Sequence, residues 1–460
     1  MKNSRQLDMT TGALLPKIIR FSTAIMLTNL LQLLFNTADL VVVGRYGSQN
    51  SLAAVGSTGP LVTLFVNLFI GLAIGVSVTC SHAYGSGDIK GLKQTVGTSV
   101  LCAFIAGIFV GAAGVAFSEP MLRLMATPEN ILGLSAVYMR IYFIGMPAVM
   151  VMNYAASAIR AVGNTRDPMM YMVAAGVLNI ALNLFFVIVC GFDVAGVAIA
   201  TVVSETVSAV LFIVHLFMAD APYKIGMSDL HIHKDKLVKI LKIGIPTGIH
   251  STIFSLSNVL IQSSQNTFGE IAVAGSAAAA NIEQYVYQIE TSFYQAALNF
   301  TGQNYGAGKY KRITRIMLIC FACVTVTGLT TGCLAYVFGH PLLSIYIPAS
   351  ETSEQAIAFG LERMLMISVP YFLCGLMEVV TGSLRGMGRS VVPTVMSVVG
   401  VCGLRVLWIF TVFRKYHTLT VLYMSYPVSW AVSFAALLVF YIAVRSEQNK
   451  KLRRRVSADG

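Results

Sequence analysis

The stretch "LLQLLFNTADLVVVG" (residues 30–44) is apolar almost throughout, yet it holds Asp39 near its end and Asn36 one helical turn earlier. A helix needs about 20 mostly apolar residues to cross a bilayer, and this stretch with its flanks is long enough. The rest of the chain has the same character. Of 460 residues, 56% are hydrophobic and 11% charged, with a mean hydropathy of +0.73, whereas soluble domains carry about a quarter charged residues. Twelve candidate spans can be counted, at about 16–44, 51–82, 92–117, 131–158, 168–190, 194–218, 238–268, 272–302, 313–338, 355–384, 393–414 and 418–444. The fold class is therefore an all-α polytopic membrane protein.

The net charge of +12 needs no nucleic-acid partner. With the N-terminus inside, 25 of the 32 Lys and Arg fall in inside segments, against Arg45, Arg123, Arg414 and Lys415 outside; Arg140, Arg363 and Arg405 lie within spans. Loop bias of this kind orients membrane proteins. It places both termini in the cytoplasm and the chain in the cell (plasma or inner) membrane, with the basic tail 445–460 ("KKLRRRV") against the bilayer. The N-terminal apolar stretch is too long and too polar at its end for a signal peptide and is expected to stay attached. The eight cysteines lie in or beside apolar stretches and read as small core residues. Cys320 and Cys323 have redox spacing but sit in a lipid-buried helix, and "DLHIHKD" (229–235) reads as a solvated face rather than a metal site.

Two pairs of loops reveal an internal repeat. "HAYGSGD" (82–88) is echoed by "QNYGAGK" (303–309), and "RAVGNTRDP" (160–168) by "RGMGRSVVP" (385–393). Tyr84 thus corresponds to Tyr305 and Arg160 to Arg385, so both echoes recur at nearly one period, close to half the chain. The expected organisation is a six-helix lobe over 1–218, a cytoplasmic loop over 219–237, a second six-helix lobe over 238–444, and the tail. Six is even, so both copies enter and leave on one side, and their pseudo-twofold axis runs along the membrane normal. Such lobes enclose a central cavity that rocking exposes to alternate sides, which is transporter architecture.

Asn36-x-x-Asp39-x4-Gly44, "LAAVG" (52–56), "YGAGK", "SLRGMGRS" (383–390) and "GIPTGIHSTIFSLSNVLIQSSQNTFG" (244–269) follow one another in an order that resembles the multidrug and toxic compound extrusion (MATE) family over essentially the whole chain. The resemblance implies antiport: sodium or proton entry drives export of cationic, amphipathic compounds, with no cofactor beyond the coupling ion. It also implies a coupling site in the first lobe, which Asp39, Asn179 and Thr201 match. Asn183 stands where relatives usually carry Asp, and Glu205, one turn from Thr201, is a candidate replacement. Asn36 joins this set. Interhelical hydrogen bonding is the competing role for Asn179, Asn183 and Thr201. The ion is left open, since oxygen ligands suit sodium and a buried carboxyl suits a proton.

A buried charge in a span costs about 2.5–3.5 kcal/mol by insertion scales, so each one needs a reason. In "NIEQYVYQIETSFYQ" (281–295), Glu283 and Glu290 are seven apart and share a face with Tyr287; Gln284 and Tyr294 add polar and aromatic character. An acidic, aromatic face suits organic cations, and helix packing is the competing reading. Glu378 and Arg405 read as a structural ion pair. The expected partners are small organic cations and the lipid bilayer, and a monomer is expected. The alternatives are a flippase for a lipid-linked precursor, which should show a cationic cavity, and a membrane enzyme, for which the scattered histidines offer no cluster. No Gly-x4-Gly-Lys loop for ATP appears.

Overall fold

A computed structural model describes residues 6–48 and 50–458, with side chains through residue 450. Lys2, Arg5 and the side chains of the tail beyond Lys450 therefore lie outside the described residues. Every described element is helical. That is what lipid demands, because a helix satisfies its backbone polar groups internally. The helices are α1 (Leu15–Tyr46), α2 (Ser51–Gly85), α3 (Ile89–Leu124), α4 (Glu129–Ile144), α5 (Met146–Ala161), α6 (Arg166–Leu184), α7 (Asp193–Met218), α8 (Lys234–Gln265), α9 (Glu270–Gly306), α10 (Tyr310–Val337), α11 (Gly339–Tyr346), α12 (Ser353–Ile367), α13 (Phe372–Gly386), α14 (Val391–Ser397), α15 (Leu404–Trp408) and α16 (Leu419–Ala458).

The paired segments α4–α5, α12–α13 and α14–α15 each make one span, so the described elements assemble into twelve. Among the described residues nine helical segments are long and apolar enough to cross a membrane, and the bent pair α4–α5 makes a tenth. The other two, α8 and α9, are 32 and 37 residues long but carry many polar side chains. Large apolar residues face outward where lipid would lie, Phe109 at 72% and Val189 at 71% exposure among them.

The repeat has a backbone cause. Gly87 and Gly308 adopt φ of 76° and 69°, and Gly163 and Gly388 adopt 92° and 79°. Each follows a helix end and lets the next amide reach back five residues. These bonds are Asp88 N to Ala83 O (2.9 Å), Lys309 N to Asn304 O (2.8 Å), Asn164 N to Ile159 O (3.3 Å) and Arg389 N to Leu384 O (3.0 Å). This is the Schellman cap, which wants glycine at its left-handed position. A second echo lies deeper. A π-type turn extends α6 at Phe185–Val189, and another stands at Ile409–Phe413, the matching place in the second copy.

Two compact units result. The first comprises residues 1–13, 23–249 and 302–309; the second comprises 14–22, 250–301 and 310–460. In the first unit the two related loops meet. A Cβ on Gly85 would collide with Gln303 O, and one on Gly306 with His82 O. Gln303 Nε2 donates to Ala161 O (2.7 Å), and Leu7 N to Gly163 O (3.1 Å). The loops "YGSGD" and "YGAGK" thus lie at one end of this unit. Along α3, Gly107, Gly111 and Gly114 form a stripe onto which Pro147 and Phe143 pack, a small-residue contact of the kind that joins membrane helices. The 48° bend between α4 and α5 falls at Gly145, just before Pro147, whose ring cannot continue a regular helix.

Candidate coupling site

In the first unit, α1, α4, α6 and α7 bring polar side chains together. Asn179 and Asn183 are one turn apart on α6, as are Thr201 and Glu205 on α7, so each pair shares a face. The α6–α7 connection is short, and its end is pinned. Asp193 accepts hydrogen bonds from Ser51 Oγ (2.5 Å) and Ser48 N (3.2 Å), which ties the α1–α2 turn to the start of α7. The α1–α6 contact is equally close: a Cβ on Gly176 would overlap the Phe35 ring.

Asp39 is thereby brought to Asn183, whose Nδ2 donates to its Oδ1. The same Nδ2 donates to Asn179 Oδ1 (3.2 Å), Asn179 Nδ2 donates to Thr201 Oγ1 (3.4 Å), and Thr201 Oγ1 donates to Val197 O (3.0 Å). Asn183 is fully buried, and its Oδ1 finds no donor among the described residues. Glu205 Oε2 is also buried without a partner among the described residues, and the charge of Asp39 acts on Glu205. No Lys or Arg charge acts on either carboxylate among the described residues. Two acids, an orphaned amide oxygen and a threonine hydroxyl thus share one region with no basic side chain among them.

Five of the six residues expected here, Asp39, Asn179, Asn183, Thr201 and Glu205, are therefore brought together. Asn36 is not. It is exposed and makes no hydrogen bond among the described residues; three positions before Asp39, it projects about 60° away around the helix. Tyr138 and Tyr142 on α4 escaped sequence reasoning. Their rings stack at 6.3 Å, both acids act on Tyr138, and Glu205 acts on Tyr142. The signal was two tyrosines four residues apart within a span.

The second unit handles its acids differently. Glu283 accepts from Arg363 through both oxygens (Nε 3.0 Å, Nη2 2.9 Å), and Arg363 Nη1 donates to Gln265 Oε1 (3.1 Å). Glu283 is therefore already neutralised, and the acidic face expected on α9 reduces to Glu290. That side chain is wedged between α10 and α13: a Cβ on Gly328 would collide with its Oε1, and one on Gly375 would meet its Oε2 at 2.8 Å. Among the described residues neither oxygen accepts a side-chain hydrogen bond, and the Gly375 amide is the polar group beside it. Tyr287 packs against Tyr371 (6.2 Å), the Tyr294 hydroxyl accepts from Arg385 Nη1 (3.0 Å), and Gln284 is exposed.

The Glu378–Arg405 pair expected from sequence is not formed. Arg405 donates to Ser429 Oγ (3.1 Å) and Asn258 Oδ1 (3.2 Å) and lies 4.0 Å from the Tyr426 ring centroid. Hydroxyl, amide and π-face groups solvate this guanidinium, while the cation acting on Glu378 is Arg385.

A pinned oxygen cluster inside a twelve-span helical membrane protein defines a class, that of multi-pass transporters, and comparison with known proteins narrows it. The MatE family model matches the chain twice, over residues 24–185 and 246–411, once in each half. The chain belongs to the MatE family. "Probable multidrug resistance protein YoeA" of Bacillus subtilis (strain 168) is 29% identical over 431 residues, 92% of each chain. "Multidrug export protein MepA" of Staphylococcus saprophyticus is 22% identical over 447 residues, 96% of this chain and 97% of its own. A structure described as the outward-facing conformation of a multidrug resistance MATE family transporter of the MOP superfamily superposes with a TM-score of 0.90 at 21% identity, covering 98% of this chain and all of the other. Members of this family are transporters, not enzymes.

Proposed function

We propose that the chain is a secondary active antiporter of the cell membrane. It exports organic cations in exchange for sodium or protons by alternating access of its two six-helix lobes, 1–218 and 238–444, with both termini cytoplasmic. The observation that carries this reading is the pair of acids Asp39 and Glu205 without a basic partner among the described residues, beside the orphaned Oδ1 of Asn183. A charged group left in this state is costly, and a cation delivered from outside removes the cost. The donor set is oxygen-only, which fits a hard cation such as sodium, and a proton would neutralise one carboxylate instead. A cation that binds one conformation better than the other shifts the equilibrium between them. The multidrug names of YoeA and MepA support organic substrates. On the substrate side, Glu290 with Tyr287 and Tyr294 supplies acidic and aromatic character.

The test is reconstitution in proteoliposomes with tetraphenylphosphonium as substrate, under an imposed sodium gradient, an imposed proton gradient, or neither. Substrate movement driven against its own gradient by one of the two ions is expected. Movement indifferent to both ions overturns the reading. Transfer of a lipid-linked pyrophosphate in its place would establish a flippase.

A further inference from the structure

The first unit carries an amphipathic seam between α3 and the segment 228–241 that none of the chemistry above uses. At one end of α3 a cavity of about 470 Å³ is lined by Ile89, Lys90, Lys93, Gln94, Asp229 and His233. Neither Lys90 nor Lys93 has a carboxylate within ion-pair distance among the described residues. The acids nearby are already engaged: Asp88 caps α3 by accepting from Gly91 N (2.8 Å), Asp229 accepts from Gly226 N (2.8 Å), and Asp235 pairs with Lys236 (3.2 Å). Further along the same helix a slot of about 280 Å³ is almost wholly apolar, with Cys102, Ile105, Ala106 and Phe109 of α3 facing Ile240 and Leu241 of α8. Thr98 fastens the crossing segment between the two openings, since its hydroxyl donates to His231 O (2.9 Å) and accepts from His233 N (3.1 Å).

We propose that this seam binds one anionic phospholipid, with its phosphate on Lys90, Lys93 and His233 and an acyl chain in the slot along Cys102, Ala106 and Leu241. The orientation proposed above puts this end at the cytoplasmic surface, so the lipid comes from the inner leaflet. Charge and length both fit. Lys90 and Lys93 line the opening together with Asp229 and His233, and Lys234 and Lys236 follow His233 in the chain; basic pockets between membrane helices recruit anionic headgroups. From Lys93 to Ile105 is about 18 Å along the helix axis, within the roughly 20 Å depth of one leaflet with its headgroups. A free phosphate would use the basic end and leave the slot empty, whereas a zwitterionic lipid would use the slot without the lysines.

Native mass spectrometry of the full chain, titrated with dioleoylphosphatidylglycerol or dioleoylphosphatidylcholine, separates these cases. Wild type should take up one phosphatidylglycerol well before phosphatidylcholine. In the K90Q/K93Q variant that preference should fall by about 30-fold, the share of two lysines near a membrane surface, and K90R/K93R should keep it. Ala106→Trp, which fills the slot, should abolish the first adduct, and millimolar inorganic phosphate should not displace it. Equal binding of both lipids to wild type overturns the proposal, as does preference retained in K90Q/K93Q or lipid binding untouched by Ala106→Trp. Should the glutamine variant fail to fold, a protein retaining Cys102 alone reports on the slot instead. Phosphatidylglycerol must slow its maleimide labelling more than phosphatidylcholine does, and equal slowing is a negative result.

Discussion

Replacing Asp39 with Asn tests the proposed coupling site while disturbing the packing least. The new side chain is isosteric. Its Oδ1 can still accept from Asn183 Nδ2, the bond that Asp39 makes now, and its amide gains two hydrogens in a region where Glu205 Oε2 lacks a donor. Folding and membrane insertion should therefore survive, and the removed charge is one that a buried site holds at a cost. What is lost is attraction for the incoming cation. Two unit charges about 4 Å apart interact by about 4 kcal/mol at an effective dielectric of 20. Relaxation of Glu205 toward the ion recovers part of that, so a net loss of about 2–3 kcal/mol, or roughly 30- to 150-fold in ion affinity, is expected. The assay is ion-driven tetraphenylphosphonium transport in proteoliposomes over a series of ion concentrations, with equilibrium substrate binding measured in parallel. The Asn variant should need far more ion for half-maximal transport and should keep its substrate affinity. An unchanged ion dependence at the wild-type rate would refute the reasoning and leave Asp39 a packing residue.

Other perturbations probe the frame around the site. Glu283→Gln strands Arg363 inside the second unit and should cost about 3–5 kcal/mol, read as a large drop in the midpoint of thermal unfolding in detergent; the double change to Glu283→Leu with Arg363→Leu should recover much of it. Gly388→Ala forces a side chain into φ of 79° and should cost about 1–2 kcal/mol, whereas Gly133→Ala, in a helix with nothing within 4 Å of the new Cβ, should leave the midpoint unchanged or raise it. Gly176→Val must displace the Phe35 ring and so part α1 from α6; a loss of ion dependence at near-normal expression is expected, checked in the same transport assay.

Much of this fold could be read along the chain, because its determinants are local. The spans declare themselves by composition. The repeat declares itself through glycines such as Gly87 and Gly163, since a left-handed cap tolerates little else. Asp39 stood out because a carboxylate in an apolar stretch needs a reason, whereas Asn183 and Glu205 were reached through the family resemblance. Contacts between distant segments were hidden. Nothing near Glu283 announces Arg363, far along the chain, and nothing in the spacing of Glu378 and Arg405 shows that aromatic rings and a serine would take the place of a carboxylate. Asn36 misled for the opposite reason. It keeps motif spacing with Asp39 but not its direction, and direction is set by which face of α1 meets α6, where Phe35 lies on Gly176.

The contrast between the two units bears on where coupling resides. In the second unit Glu283 has Arg363 at bonding distance, and Glu378 feels Arg385. A resident guanidinium competes with any incoming ion, and breaking a buried pair of this kind costs about 3–5 kcal/mol. A site that must fill and empty in every transport cycle is poorly served by such a partner. Asp39 and Glu205 have none among the described residues: the charge that acts on Glu205 is that of Asp39, and the group bonded to Asp39 is a neutral amide. Their mutual repulsion is uncompensated when no ion is bound and is offset by the cation's attraction when one is. An energy term that switches with occupancy is what coupling requires, since a ligand can shift an equilibrium only by its difference in affinity for the two states. We propose on this ground that the ion acts on the first unit through Asp39 and Glu205; Glu290 of the second unit, which likewise has no basic side chain acting on it among the described residues, is the competing ion site. Moving the guanidinium is the decisive manipulation: Tyr138→Arg, placed beside both acids, should leave a folded protein whose transport no longer responds to either ion gradient.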